Sequence, residues 1–165
     1  MGDDLTAGED VVLFDTEDAR IGALICFDSI YEELNRDSVT AGAQWMMVST
    51  NDSWFRDSAA VYMHQSQSQL RAIESGRYFL RSANTGISSV ISSKGEHLAW
   101  IDPLTAGYAV TEILPQENLT PYMLIGNLFV YLCMAFVGLL IPLGILTQRK
   151  RSRPFEMASR YGTGT

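Results

Sequence analysis

Residues 124–146 run for 23 positions without a charged side chain, and Asn127 is the only strongly polar one among them. As a helix rising about 1.5 Å per residue, the stretch would be about 34 Å long, enough for a hydrocarbon core of about 30 Å. It predicts a transmembrane helix over 120–148, in which Pro142 and Gly144 are tolerated near the end. Arg149, Lys150, Arg151 and Arg153 follow, four cations within five positions. By the positive-inside rule the tail, 149–165, is cytoplasmic and the residues before the span lie outside the cytoplasm. From Ser152 onward the tail reads as disordered.

Charge divides along the same line. Residues 1–123 carry 7 Lys or Arg against 18 Asp or Glu, whereas 147–165 carry 5 bases and 1 acid. An acidic domain of this kind excludes nucleic acid as a natural partner, and the basic tail suits anionic lipid headgroups. The opening M-G-D-D-L-T-A-G-E-D has neither the basic region nor the apolar core of a signal peptide. Export of the domain is therefore expected to depend on membrane spans that come before it.

Within that domain the stretch R-I-G-A-L-I-C-F-D-S-I-Y-E-E stands out. Ile21, Ala23, Leu24 and Ile25 form a short apolar run of the kind found in strands buried on both faces. Asp28 and Ser29 then supply helix-start chemistry, with Glu32 placed as in a capping box. A thiol at Cys26, between a buried strand and a helix N-terminus, would sit near unpaired N–H groups that favour thiolate. That is a nucleophile's position, although a free cysteine is also a common small core residue. The other cysteine, Cys133, lies inside the predicted span, so no disulfide is expected. An idle thiol outside the cytoplasm is unusual, which favours a task for Cys26. His64 and His97 are the only histidines, and neither a metal cluster nor a cofactor is implied.

In chain order, strands are predicted over 11–14 and up to Cys26, a helix over 30–40, and a second buried strand over 44–50. The loop N-D-S-W-F-R-D-S follows. Loops at the C-terminal ends of strands line the site in an α/β sheet, which puts Asn51, Asp52 and Trp54 near Cys26. The alternative is an Asx-type turn at Asn51 and Asp52 with Trp54 packed as core. An amphipathic helix over 59–78 carries Ala60, Met63, Gln67, Leu70, Ile73 and Arg77 on one stripe, and Glu74 and Arg77 are spaced to pair. Strands follow over 79–83, 87–92, 97–101 and 108–114.

Three blocks, I-C-F-D-S-I-Y, V-S-T-N-D-S-W-F and R-A-I-E-S-G-R-Y-F-L-R-S-A-N-T-G-I-S, closely resemble the carbon–nitrogen hydrolase (nitrilase-type) domain of apolipoprotein N-acyltransferases. L-T-P-Y-M-L-I-G-N resembles the last transmembrane segment of that family. The resemblance covers roughly residues 5–148. It implies an α/β fold, a partial nitrilase-type α-β-β-α sandwich over 1–119 followed by one C-terminal transmembrane helix, in a bacterial inner membrane with the sandwich extracytoplasmic. It further implies transfer of a fatty acyl group from a phospholipid donor to the N-terminus of a diacylglyceryl-lipoprotein. Cys26 matches the family's nucleophile, which would hold the acyl group as a thioester, and Phe27 would offer its backbone N–H to the oxyanion. Asp28 stands where family members often have glutamate.

The family's glutamate base and lysine lie well upstream of its cysteine. Only 25 residues precede Cys26, and the acids among them, Asp3, Asp4, Glu9, Asp10, Asp15, Glu17 and Asp18, lack the surrounding motif. Lys94 and Lys150, the only lysines, are not placed to serve. The chain is thus expected to be the C-terminal part of such an enzyme, with the N-terminal portion missing from it. An inactive single-span binding or assembly protein and a nitrilase-type amidase are the other classes left open. The orientation is open to a direct check: an impermeant amine or thiol reagent on intact cells should label residues before 123 and spare Lys150. The reverse pattern would invert the assignment.

Overall fold

The computed structural model describes residues 8 and 10–160, with side chains up to 148 except that of 146. Asp3, Asp4 and Glu9, and the tail's last residues 161–165, lie outside the described residues. Two compact units are present, Met1–Leu124 and Ile125–Thr165.

In the first unit, alternation makes the sheet. Along β3 (Trp45–Asn51), Met46, Val48 and Thr50 are buried while Met47 and Ser49 are exposed, the period-two pattern of a strand with one covered face. The strands β1 (Leu13–Asp15), β2 (Arg20–Ile25), β3, β4 (Phe79–Asn84), β5 (Ser88–Ile91) and β6 (His97–Ile101) lie side by side in chain order as one six-stranded sheet. The β2–β3 and β3–β4 pairs are parallel, the other three antiparallel. Each parallel pair needs a crossover, and α1 (Glu32–Thr40) and α2 (Ala59–Ser75) supply them. Leu24, Met46, Val48, Phe79 and Ile91 from the strands pack with Val39, Ala43, Ala72 and Met123 into the core.

The opposite face is open. Register aligns Ala23, Met47, Leu80, Val90 and Ala99 in one row across five strands, and all five are half-buried or exposed. The runs around Ile21–Ile25 and 44–50 are therefore not buried on both faces here, because no second layer covers that side among the described residues. One sheet with helices on one face is the half of an α-β-β-α sandwich that the sequence predicts. The Cys26 strand is paired on both sides by β1 and β3, so it is not a sheet edge.

Other boundaries shift for local reasons. Helix α1 begins at Glu32, because Cys26–Ile30 winds as a 3₁₀ turn and Tyr31 interposes in extended conformation. Helix α2 stops at Ser75, because Gly76 adopts the left-handed C-cap conformation, φ 65°, and its N–H bonds to Ala72 O. The buried side of α2 is not the predicted stripe: Met63, Leu70 and Ile73 are exposed, while His64, Gln65, Ser68, Arg71 and Ser75 face inward. Glu74 pairs with Arg71 at 3.0 Å rather than with Arg77, whose guanidinium donates to the carbonyls of Ala43 and Asn118. The strand predicted over 108–114 does not form: the segment makes no ladder, and Tyr108 and Val110 are about nine-tenths exposed.

Gly126 has φ 54° and divides the apolar stretch into α3 (Pro121–Ile125) and α4 (Leu128–Arg160). The long apolar helix thus starts at Leu128, eight residues after the start of the predicted 120–148 span. Leu128–Ile145, with a mean hydropathy of 2.5 and no residue buried, is long and apolar enough to cross a membrane. The helix continues to Arg160, through much of the tail expected to be disordered. Truncating Phe79, wholly buried at the head of β4, should cost about 3–5 kcal/mol by cavity formation. Leu80→Ala on the open row should cost less than half as much. Urea unfolding followed by tryptophan fluorescence separates the two, and equal losses would mean that the open face is covered in solution.

Candidate active site

Cys26 sits where β2 gives way to the 3₁₀ turn, and its backbone is left-handed, φ 54°. A residue with a side chain adopts this conformation only under local constraint, and such positions cluster at functional sites. The turn supplies part of the constraint. Asp28 reaches back so that its Oδ2 accepts the Ile25 N–H at 3.0 Å, and the Ser29 hydroxyl donates to the Cys26 carbonyl at 2.8 Å. Ser29 is not the N-cap expected of it, since α1 starts at Glu32 with Tyr31 as N-cap, and Asp28 and Ser29 serve the Cys26 turn. Consequently the thiol stands at a 3₁₀ turn, not at an α-helix N-terminus.

Behind the turn lies a buried polar network. His64, on the inward side of α2, directs Nε2 to the Cys26 carbonyl oxygen and to Ser29 Oγ, 3.3 Å from each. Its Nδ1 is 2.9 Å from Asp52 Oδ1, which also accepts the Thr50 hydroxyl at 2.8 Å. Asp52 Oδ2 accepts Arg81 Nη2 at 2.8 Å, and Arg81 Nη1 donates to Ser68 Oγ at 3.1 Å. The Asp52 and Arg81 side chains are wholly inaccessible. Burial pushes the Asp52 carboxyl up, but the hydrogen bonds of His64 and Thr50 and the charge of Arg81 outweigh it and hold it below its ordinary range. Burial likewise pulls Arg81 down, opposed by Asp52 and by the negative charge available at Cys26.

Of the predicted site residues, Asp52 reaches Cys26 through His64, and Phe27 stacks on the His64 ring at 5.4 Å between centroids. Asn51 forms the Asx-type contact, accepting the Ser53 N–H at 3.2 Å. Trp54 is 86% exposed, which overturns the alternative that it packs as core. Phe27, Ile30, Phe55, Ala60 and Met63 wall an open trough of about 410 Å³ with His64 and Gln67. Sequence reasoning missed His64 and Arg81. The available signal was the stripe His64, Ser68, Arg71 and Ser75 at spacings of four and three, a polar face on a helix that must cover a sheet.

Residues 4–118 match the carbon-nitrogen hydrolase family. The chain belongs to that family. Curated relatives named apolipoprotein N-acyltransferase include one from Geobacter metallireducens, 38% identical over 133 residues, and one from Methylococcus capsulatus, 36% identical over 119. These alignments cover 80% and 71% of this chain but only 25% and 23% of the relatives, so the chain spans about a quarter of their length. Among solved structures, a carbon-nitrogen hydrolase from Helicobacter pylori is similar with a TM-score of 0.55 at 16% identity, covering 59% of this chain and 41% of that one. A nitrilase-superfamily member from Saccharomyces cerevisiae gives 0.52 at 22%, covering 60% and 39%. These structures support the nitrilase-type fold alone.

The lowered Asp52 pKa fixes a sign. A group depressed in the folded state contributes stability above its unfolded pKa of about 3.9 and loses it as pH falls through the folded value. Asp52→Asn should therefore flatten the acid limb of stability measured by denaturation from about pH 5 down to about pH 2, and at pH 7 should cost about 3–5 kcal/mol by leaving Arg81 unpaired. An unchanged acid limb would show that Asp52 is not the carboxylate responsible.

Proposed function

We propose that Cys26 is the nucleophile of phospholipid-to-apolipoprotein N-acyl transfer. The observation that carries this reading is the convergence of the matched sequence blocks on one left-handed cysteine, in a chain whose relatives bear that activity as their name. The Cys26 thiolate attacks the ester carbonyl of a phospholipid and forms a thioester, and the lysophospholipid leaves with the proton taken from the thiol. The α-amine of a diacylglyceryl-cysteine at the lipoprotein's N-terminus then attacks the thioester. An amide bond forms, the carbon–sulfur bond breaks, and the amine's proton returns to sulfur.

Phe27 offers its N–H to the oxyanion in both steps, as the residue after a nucleophile at a sharp turn can do. Asp28 holds the turn, Asp52 holds His64, and Asn51 and the exposed ring of Trp54 line the approach. The glutamate base and the lysine that the resemblance implies are matched by no motif of this sequence, and a further portion supplies them. Bearing an acidic domain ahead of a single apolar helix and a basic tail, the chain sits in a bacterial inner membrane with the domain outside and the C-terminus in the cytoplasm.

Transfer of a labelled acyl group from phospholipid to a diacylated lipopeptide tests the reading. The chain alone should give none. Fused behind the upstream region of the Geobacter metallireducens relative, it should transfer, and Cys26→Ala should lower the rate by about a thousandfold or more. Cys26→Ser should fail as well, since a hydroxyl is far less ionised than a thiol. Transfer by the isolated chain, or by the Cys26→Ala fusion, would refute the assignment.

A further inference from the structure

His64 has the neighbours of a triad histidine, with a carboxylate on Nδ1 and a cysteine beyond Nε2, yet Nε2 is turned to the main-chain oxygen of Cys26. The hydrogen count around it is informative. Ser29 has one hydroxyl hydrogen and places it on the Cys26 carbonyl at 2.8 Å, so its oxygen presents a lone pair to Nε2. Cys26 O is an acceptor as well. Both groups facing Nε2 accept, and Nε2 therefore carries the hydrogen and donates. On the other side of the ring, Nδ1 lies 3.0 Å from Arg81 Nη2 and 2.9 Å from Asp52 Oδ1, and with the hydrogen on Nε2 it accepts from Arg81. Asp52 and Arg81, wholly buried and paired at 2.8 Å, leave the imidazole no freedom to turn.

Resting on the reading of Cys26 as the nucleophile, the geometry points to His64 as a positioning residue: its Nε2–H, with the ring held from behind by the Arg81–Asp52 pair, clamps the Cys26 carbonyl and holds the cysteine in its left-handed conformation. Release would have a definite consequence. An extended Cys26 would continue β2, and by alternation it would share a face with Gly22 and Leu24, both buried beneath the helices. The thiol would be withdrawn into the core. The left-handed turn, by contrast, leaves Cys26 half-exposed.

Two measurements on the full chain in detergent, with Cys133→Ser so that one thiol remains, test the clamp. The first is alkylation of Cys26 by iodoacetamide. His64→Ala should slow it about tenfold or more, since a displacement of an ångström can cost up to about a hundredfold. His64→Gln, whose amide N–H can reach the same carbonyl, should recover most of the rate. The second compares Gly with Ala at position 26, because glycine gains only where φ is positive. With His64 present, Cys26→Gly should melt about 2–4 °C above Cys26→Ala. In His64→Ala that advantage should vanish, and if His64→Ala does not fold, His64→Asn, too short to reach Cys26, takes its place with the same expectation. An equal glycine advantage in both backgrounds, or an unchanged alkylation rate, would overturn the clamp, since a histidine that merely fills space would not couple to the backbone of residue 26. Neither measurement uses acyl donor or acceptor, so failure of the acyl-transfer reading and failure of the clamp are separately visible.

Discussion

A carboxylate withdrawn entirely from water is the constraint around which the site is built. Burying one ion costs several kcal/mol, and the cost is offset only when an opposite charge and further donors satisfy every lone pair. Asp52 meets that condition with Thr50, His64 and Arg81, which come from β3, α2 and β4 respectively. One side chain thereby ties the ends of two parallel strands to the helix that crosses between them. The fit is close enough to dictate a neighbour: a Cβ at Gly86 would fall on the Asp52 carboxylate, so the link from β4 to β5 requires glycine there.

The strands and the cysteine turn were legible because their signals are local. The apolar runs at 21–25 and 44–50 lie in the strands they announce, although each strand is covered on one face only, and the helix read over 59–78 overruns Gly76, which stops α2 at Ser75. His64 and Arg81 were not legible for the opposite reason. Their partner Asp52 is 12 and 29 residues away, and only the parallel register of β3 with β4 brings the three together. The N-cap reading of Asp28 and Ser29 failed at shorter range. The residue types were right for a helix start, but the same oxygens had stronger claims within the 3₁₀ turn.

Helix α2 shows how a buried polar network can invert a pattern. Amphipathicity places the apolar stripe inward when covering a sheet is the only demand. Here the inward face must also present His64 and Ser68 to a buried ion pair, and Met63, Leu70 and Ile73 are left on the outer side. The row from Ala23 to Ala99 leaves a second apolar surface on the far face of the sheet. A molecule with both surfaces uncovered would be short of buried apolar area for its length, which agrees with a chain that spans about two fifths of the nitrilase-type structures it resembles.

Asp28 completes the picture from the other side of the cysteine. Its carboxylate is engaged by the Ile25 amide three residues back, a distance that a short side chain spans without leaving the turn. A glutamate in its place would carry one methylene more and could direct its oxygens beyond the main chain. The aspartate trades that reach for a tighter grip on the strand end, so the two sides of Cys26 are restrained by different means: a local carboxylate fixes the residue before it, and a histidine anchored on a distant ion pair fixes its carbonyl. With both in place, the left-handed conformation at Cys26 is imposed by its surroundings, while the residue's own preference would be for an ordinary strand.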